Sequence, residues 1–117
     1  MLRTVLIVDD HDGFRAGARA LLEADGFQVL GEAADGEAAV DAARRLRPDV
    51  VLLDIQLPGL DGFAVAERLA AGTDPPVVVL ISSRGEHAYR RRLERSPVRG
   101  FISKGEFSGE CLASLLV

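Results

Sequence analysis

The stretch Val50-Val51-Leu52-Leu53-Asp54-Ile55-Gln56-Leu57-Pro58-Gly59-Leu60-Asp61-Gly62 passes from four apolar residues to a carboxylate and then into a turn. A short unbroken apolar run marks a strand buried on both faces, as in a parallel sheet covered by helices. Pro58 fixes its φ, and Gly59 and Gly62 admit tight backbone geometry, so the loop is expected to hold Asp54 rigidly. Two other runs repeat the pattern: Thr4-Val5-Leu6-Ile7-Val8 ends in Asp9-Asp10, and Val77-Val78-Val79-Leu80-Ile81 ends in Ser82-Ser83. Val29 to Ala33 and Val98 to Ile102 are shorter strand candidates, the second leading to Ser103-Lys104.

Between the runs lie helical patterns. The spacing predicts helices over 15–25, 37–47, 62–71, 86–95 and 108–116, with stops at Gly26, Pro48 and Gly72. Asp12, Asp61 and Ser108 are candidate N-caps. Strand and helix alternate five times, which predicts an α/β fold: a five-stranded parallel sheet with right-handed crossovers and helices on both faces. At 117 residues the chain is one domain, and its size favours the flavodoxin-like (βα)5 arrangement with strand order 2-1-3-4-5.

Composition narrows the class. Hydrophobic residues make up 48% of the chain and the net charge is only −4, which excludes disorder. Cys111 is the single cysteine, so no disulfide scaffold exists; it is expected to be a small buried hydrophobe. No apolar run is long enough to span a bilayer and no leader pattern opens the chain, so the expected location is the cytoplasm, without a membrane partner. Thirteen of the 14 basic residues are arginine; the lone lysine is Lys104.

In an open α/β sheet, ligands bind outside the carboxyl ends of the strands, near the switch in strand order. Strands 1 and 3 are neighbours in the order above, so Asp9, Asp10 and Asp54 are expected to converge. Three such carboxylates repel one another and favour a hard, oxygen-seeking cation, Mg²⁺. The carbonyl of Gln56 is a further candidate ligand. His11 suits a hard site poorly and reads as a pocket wall. Ser82, with Ser83 in reserve, and Lys104 reach the same edge. A cation, a hydroxyl and an ammonium around Asp54 make a site for a three-oxygen dianion, and the simplest chemistry is phosphoryl transfer onto the Asp54 carboxylate.

These residues resemble the receiver domain of bacterial two-component response regulators over essentially the whole chain, 1–117, with no output domain expected in it. The resemblance rests on Val8-Asp9-Asp10-His11, on the D-x-x-x-P-x-x-D-G stretch from Asp54 to Gly62, on the serines after strand 4 and on Lys104. The Asp-Asp-His opening is most similar to the LuxR/NarL-type subfamily. The resemblance implies Asp54 as phosphoacceptor for a sensor histidine kinase, and Asp9, Asp10, Asp54 and Gln56 as the Mg²⁺ site. It implies Lys104 as the phosphoryl partner, Ser82 as the switch hydroxyl and Phe101 as the aromatic coupled to it. Such a domain phosphorylates itself from a phosphodonor and loses the group by hydrolysis, and it is no metabolic enzyme.

Two departures stand out. Ile81 can be aligned with the family's frequent threonine, although the spacing from Ser82 to Lys104 fits better, and Lys104 precedes Gly105 rather than proline. A degenerate receiver that only binds partners, and an aspartyl-phosphate phosphatase, are the rival readings. The phosphatase lacks its D-x-D signature, since Ile55 and Gln56 follow Asp54. A flavodoxin-like electron carrier is weaker, because Asp9 and Asp10 would repel a flavin phosphate.

The segment 84–99 holds six arginines against two glutamates. Tyr89, Arg90, Arg91 and Arg92 are the candidate partner face, within the surface of helix 4, strand 5 and helix 5 through which the family switches and where a homodimer would form. Arg90-Arg91-Arg92 covers most of a helical turn, so one of the three must turn inward or snorkel. No DNA-reading motif is present, so direct nucleic-acid contact is not expected; a DNA-binding output domain would belong to a longer protein.

Overall fold

The computed structural model describes residues 3–117. The element order is β1 (Thr4–Val8), α1 (Asp12–Ala24), β2 (Gln28–Ala33), α2 (Gly36–Leu46), β3 (Val50–Asp54), α3 (Gly62–Ala70) and β4 (Val77–Ser82). A 3₁₀ turn (Glu86–Tyr89), α4 (Arg90–Glu94), β5 (Gly100–Ser103), a second 3₁₀ turn (Lys104–Glu106) and α5 (Gly109–Leu115) follow. All strand pairs are parallel, as the alternation of elements predicts, and the order is β2-β1-β3-β4-β5, the arrangement the chain's size favours.

The two-sided burial follows from the period of two along each strand. In β3, Val51 and Leu53 enter the core under α2 and α3, with Leu6, Val8 and Leu80. Val50 and Leu52 enter the other core with Val5, Ile7, Val79 and Ile81, packed against Leu22 of α1 and Leu112 of α5. All of these strand residues are fully buried, which explains why β1, β3 and β4 read as continuous apolar runs rather than alternating ones. Ser82 continues the Val78–Leu80 side, and Phe101 packs on that same side, beside Tyr89 and Leu93.

Several local expectations need correction. α1 begins at Asp12, and His11 occupies its N-cap without a side-chain bond; the Asp12 carboxylate pairs with Arg15 instead of capping. The unanticipated cap is Asp35, which accepts from the Ala38 N–H at 2.8 Å. Asp61 and Ser108 cap α3 and α5 as expected, accepting from Ala64 and Cys111 N–H at 2.9 and 3.0 Å. The fourth helix is only a 3₁₀ turn followed by five α-helical residues, because three successive charged residues leave it little apolar face. β5 starts at Gly100, and Val98 and Arg99 lie before it. Cys111 is half-buried rather than core, its Sγ reaching the Glu106 carbonyl at 3.3 Å.

Candidate phosphoacceptor and metal site

Asp9 leaves β1 still tied to the sheet, its N–H donating to the Ala33 carbonyl at 3.0 Å. The side chain is wholly buried. Its Oδ1 accepts from the His11 N–H at 2.9 Å and lies 3.0 Å from His11 Nδ1. Its Oδ2 makes no hydrogen bond of acceptable geometry, although the Lys104 ammonium lies 2.6 Å away. Asp10 is exposed and its Oδ1 lies 3.1 Å from the same His11 nitrogen. Arg15 donates to the Asp9 carbonyl at 2.6 Å and pairs with Glu32 of β2 at 3.0 Å, bracing the end of β1 from outside.

Asp54 closes β3 and is also almost fully buried. The Gln56 N–H donates to Oδ1 at 3.2 Å, and Lys104 Nζ donates to Oδ2 at 3.2 Å. The loop that follows is closed at both ends: Ile55 N–H bonds the Ile81 carbonyl at 3.0 Å, and Gly62 N–H bonds the Ile55 carbonyl at 2.8 Å. Gly59 takes a left-handed φ of 74°, which glycine adopts without penalty. Gly62 is required by close approach: a Cβ there would sit 2.5 Å from the Asp54 carbonyl oxygen and 2.8 Å from Ile55 Cα. Both are backbone atoms that can yield only by moving Asp54. Gly62→Ala is therefore expected to lose about 2–3 kcal/mol in urea unfolding, the scale of overpacking a tight interior. A midpoint equal to wild type would show that the loop is slack and does not hold Asp54.

The electrostatics follow from burial. Desolvation raises the Asp54 pKa, and the neighbouring Asp9 charge raises it further; the Gln56 N–H and Lys104 oppose the rise without cancelling it. For Lys104, burial is the largest effect and favours the neutral amine. The close approach of the Asp9 carboxylate and the charges of Asp54 and Asp9 together outweigh it, so its pKa is raised and the group is an ammonium at neutral pH.

One ammonium is shared by two buried carboxylates, with Asp10 adding negative charge at the rim. Ligand atoms of Asp9, Asp10, His11 and Asp54 all lie within 4.8 Å of one another. The buried Asp9 Oδ2 without a proper hydrogen bond, and a donor set dominated by carboxylate oxygen, fit a hard divalent cation of the Mg²⁺ kind.

The other predicted residues occupy a second cluster. Ser82 is fully buried; its Oγ accepts from the Arg84 N–H at 3.1 Å and lies 3.5 Å from the Tyr89 hydroxyl. Ser83 is exposed. Tyr89 is half-buried, 6.0 Å from the Phe63 ring and 6.5 Å from the Phe101 ring, so it is a packing residue more than an open surface. Arg90, Arg91 and Arg92 are all exposed, so none turns inward; Arg92 lies along the surface with its guanidinium 4.1 Å from the Phe63 ring centre, donating to Asp61 at 3.0 Å. Sequence reasoning missed Arg15, the contacts His11 makes to both acids, and Phe14, whose ring lies 4.7 Å from Lys104 Nζ. The only signal for Arg15 was its three-residue spacing from Asp12 on a helix.

A family model described as the response regulator receiver domain matches residues 5–115. The chain belongs to that family. Response regulator GacA of Pseudomonas viridiflava is 37% identical over 112 residues, covering 95% of this chain and 52% of that protein. The DNA-binding transcriptional activator EvgA of Escherichia coli K12 is 30% identical over 110 residues, covering 94% and 54%. The chain thus spans about half the length of the curated relatives it matches.

Among solved structures, the signal receiver domain of a response regulator designated NarL from Mycobacterium tuberculosis superimposes with a TM-score of 0.87 at 36% identity, covering 98% and 94% of the two chains. A CheX–CheY–BeF3–Mg complex from Borrelia burgdorferi matches with a TM-score of 0.85 at 26% identity, covering 97% and 86%. This receiver domain is a phosphoacceptor signalling module with a Mg²⁺-type carboxylate site. Among the described residues no helix is long and apolar enough to cross a membrane.

Proposed function

We propose that Asp54 is the phosphoacceptor, that Asp9, Asp10, Asp54 and the Gln56 carbonyl hold Mg²⁺, and that Lys104 and Ser82 receive the phosphoryl oxygens. The observation that carries this reading is the shared Lys104 ammonium, 2.6 Å from Asp9 and 3.2 Å from Asp54 at the carboxyl edge of adjacent strands. Bound Mg²⁺ supplies charge neutralisation for the transferring group. An Asp54 carboxylate oxygen attacks the phosphorus of a phosphohistidine, the P–N bond breaks, and the imidazole nitrogen keeps the electron pair. The Gln56 N–H fixes the carboxylate orientation, and Lys104 turns toward the charge that has arrived on phosphorus. Hydrolysis of the acyl phosphate resets the site.

The fully buried hydroxyl at the end of β4 favours Ser82 over exposed Ser83 as the switch group, and buried Ile81 faces the opposite core. Phe101, beside Tyr89, is the coupled aromatic. Exposed Arg90 and Arg91 form the partner face with the surface of α4, β5 and α5, where a second copy would also dock. The domain acts in the cytoplasm, and a DNA-binding output domain, as in the transcriptional activator EvgA, would read its state in a longer protein.

The test is intact mass spectrometry after incubation with acetyl phosphate, with Mg²⁺ or with a chelator. One phosphoryl group is expected with Mg²⁺ and none with the chelator. Uptake that ignores the chelator would remove Mg²⁺ from the scheme, and no uptake from acetyl phosphate or a phosphorylated kinase would remove the acceptor.

A further inference from the structure

We propose that Tyr89 is the positioning residue of the switch hydroxyl: it holds Ser82 in the resting orientation and is released when that hydroxyl turns to a phosphoryl group. The inference rests on the acceptor reading above and adds a residue to it. Ser82 Oγ has one proton to give. At rest its neighbours are the Arg84 N–H, which donates to it, and the Tyr89 hydroxyl oxygen at 3.5 Å. A phosphoryl oxygen on Asp54 is a charged acceptor and competes for that proton far better than a phenol does. The proton cannot serve both, so phosphorylation takes from the half-buried Tyr89 hydroxyl the bond it accepts from Ser82 at rest.

What Tyr89 touches determines what its release does. Its ring packs between Phe63 of α3 and Phe101 of β5. The Phe63 ring is covered by Arg92, whose guanidinium is bonded to Asp61, the N-cap of α3. The segment 86–94 carries no fully buried residue of its own; Tyr89 and Arg92 tie it to α3, and half-buried Leu93 packs on the same core. Freeing Tyr89 loosens one of these few ties, and exposed Arg90 and Arg91 follow because they are the next residues in the chain. Phe101 has no hydroxyl and cannot exchange a hydrogen bond with Ser82; in this chain the polar link belongs to the helix side, through Tyr89.

The composition provides the assay. Tyr89 is the only tyrosine and the chain has no tryptophan, so intrinsic emission reports this one ring. Acetyl phosphate with Mg²⁺ is expected to change the emission of the wild-type chain in step with phosphoryl uptake followed by mass. In Ser82→Ala uptake is expected to slow, because a phosphoryl contact is lost, and the emission change per phosphoryl group taken up disappears. Tyr89→Phe keeps the ring contacts and removes the hydroxyl; its uptake is expected to be about two- to threefold faster than wild type, the scale of one weak hydrogen bond, with an unchanged urea midpoint. Uptake with silent emission, or a Tyr89→Phe rate equal to wild type, overturns the role of Tyr89 and leaves the acceptor intact. No uptake in the wild type overturns both.

Discussion

Asp54→Asn is expected to take up no phosphoryl group under conditions that fully phosphorylate the wild-type chain, a loss beyond the reach of mass spectrometry. An amide has no anionic oxygen to attack phosphorus, and no other buried carboxylate stands in the same loop. Asp9 is wholly buried and committed to His11 and Lys104, so it is no substitute acceptor. Residual phosphorylation of the variant at wild-type level would place the acceptor elsewhere.

The same substitution carries a stability signature. The folded-state pKa of Asp54 is raised, first by desolvation and then by Asp9, so the folded chain binds its proton more tightly than the unfolded chain does. Stability from this group is present below the ordinary aspartate value and is lost as pH climbs toward the raised value. Without Mg²⁺, Asp54→Asn is therefore expected to melt a few degrees above wild type at neutral pH, and the gain should vanish in acid, where the wild-type carboxyl is already neutral. Asparagine leaves Lys104 paired to Asp9 and retains an oxygen for the Gln56 N–H. A gain that persists unchanged in acid would mean that charge is not its origin.

Removal of the ammonium should have the opposite sign. In Lys104→Met most of the apolar stem is preserved, but the ammonium over the Phe14 ring is lost and Asp9 and Asp54 face each other with no cation. Breaking an enclosed ion pair costs about 3–5 kcal/mol; the pocket is open at the Asp10 rim, so about 2 kcal/mol is expected here, or about 8 °C in Tm for a domain of this size. Added Mg²⁺ should restore most of it, since a divalent ion replaces the missing charge. The phosphoryl-transfer rate should drop about 100-fold even with saturating Mg²⁺, the scale of losing one preorganised electrostatic contact. Calorimetry in chelator and a stopped time course by mass read the two effects separately; a Tm equal to wild type in chelator would deny the ammonium its role as shared counter-ion.

The fold was legible because its strands are buried on both faces. Val50 to Leu53 and Val77 to Ile81 have no polar alternation to mislead, and each ends in the residue that matters. The acidic edge was legible for the same reason: β1 and β3 are neighbours, so the topology alone brings Asp9 and Asp54 together. What escaped was decided by contacts distant in sequence. Nothing near Arg15 says that it reaches Glu32 on β2, and nothing in Arg90-Arg91-Arg92 says which one lies over Phe63. Tyr89 was a candidate for the partner face, but whether it packs against Phe63, Phe101 and Ser82 depends on residues far from it in sequence. The misplaced cap at Asp12 has a similar cause, since Arg15 competes for that carboxylate more strongly than the backbone does.

The alternation of β4 between the two cores has a consequence for how such a domain can change over time. Ile81 belongs to the leaf beneath α1 and α5, and Ser82 to the leaf beneath α3 and the arginine-rich turn. A one-residue slip of that strand would exchange them, sinking a hydroxyl into hydrocarbon and presenting an isoleucine where the readout begins. The sheet thus works as a partition: on the proposed reading the switch hydroxyl turns within one leaf only. Substitutions in the core beneath α1 are expected to alter how firmly the molecule stands, whereas those around Phe63, Tyr89 and Arg92 are expected to alter what it says, so long as the register of β4 is kept.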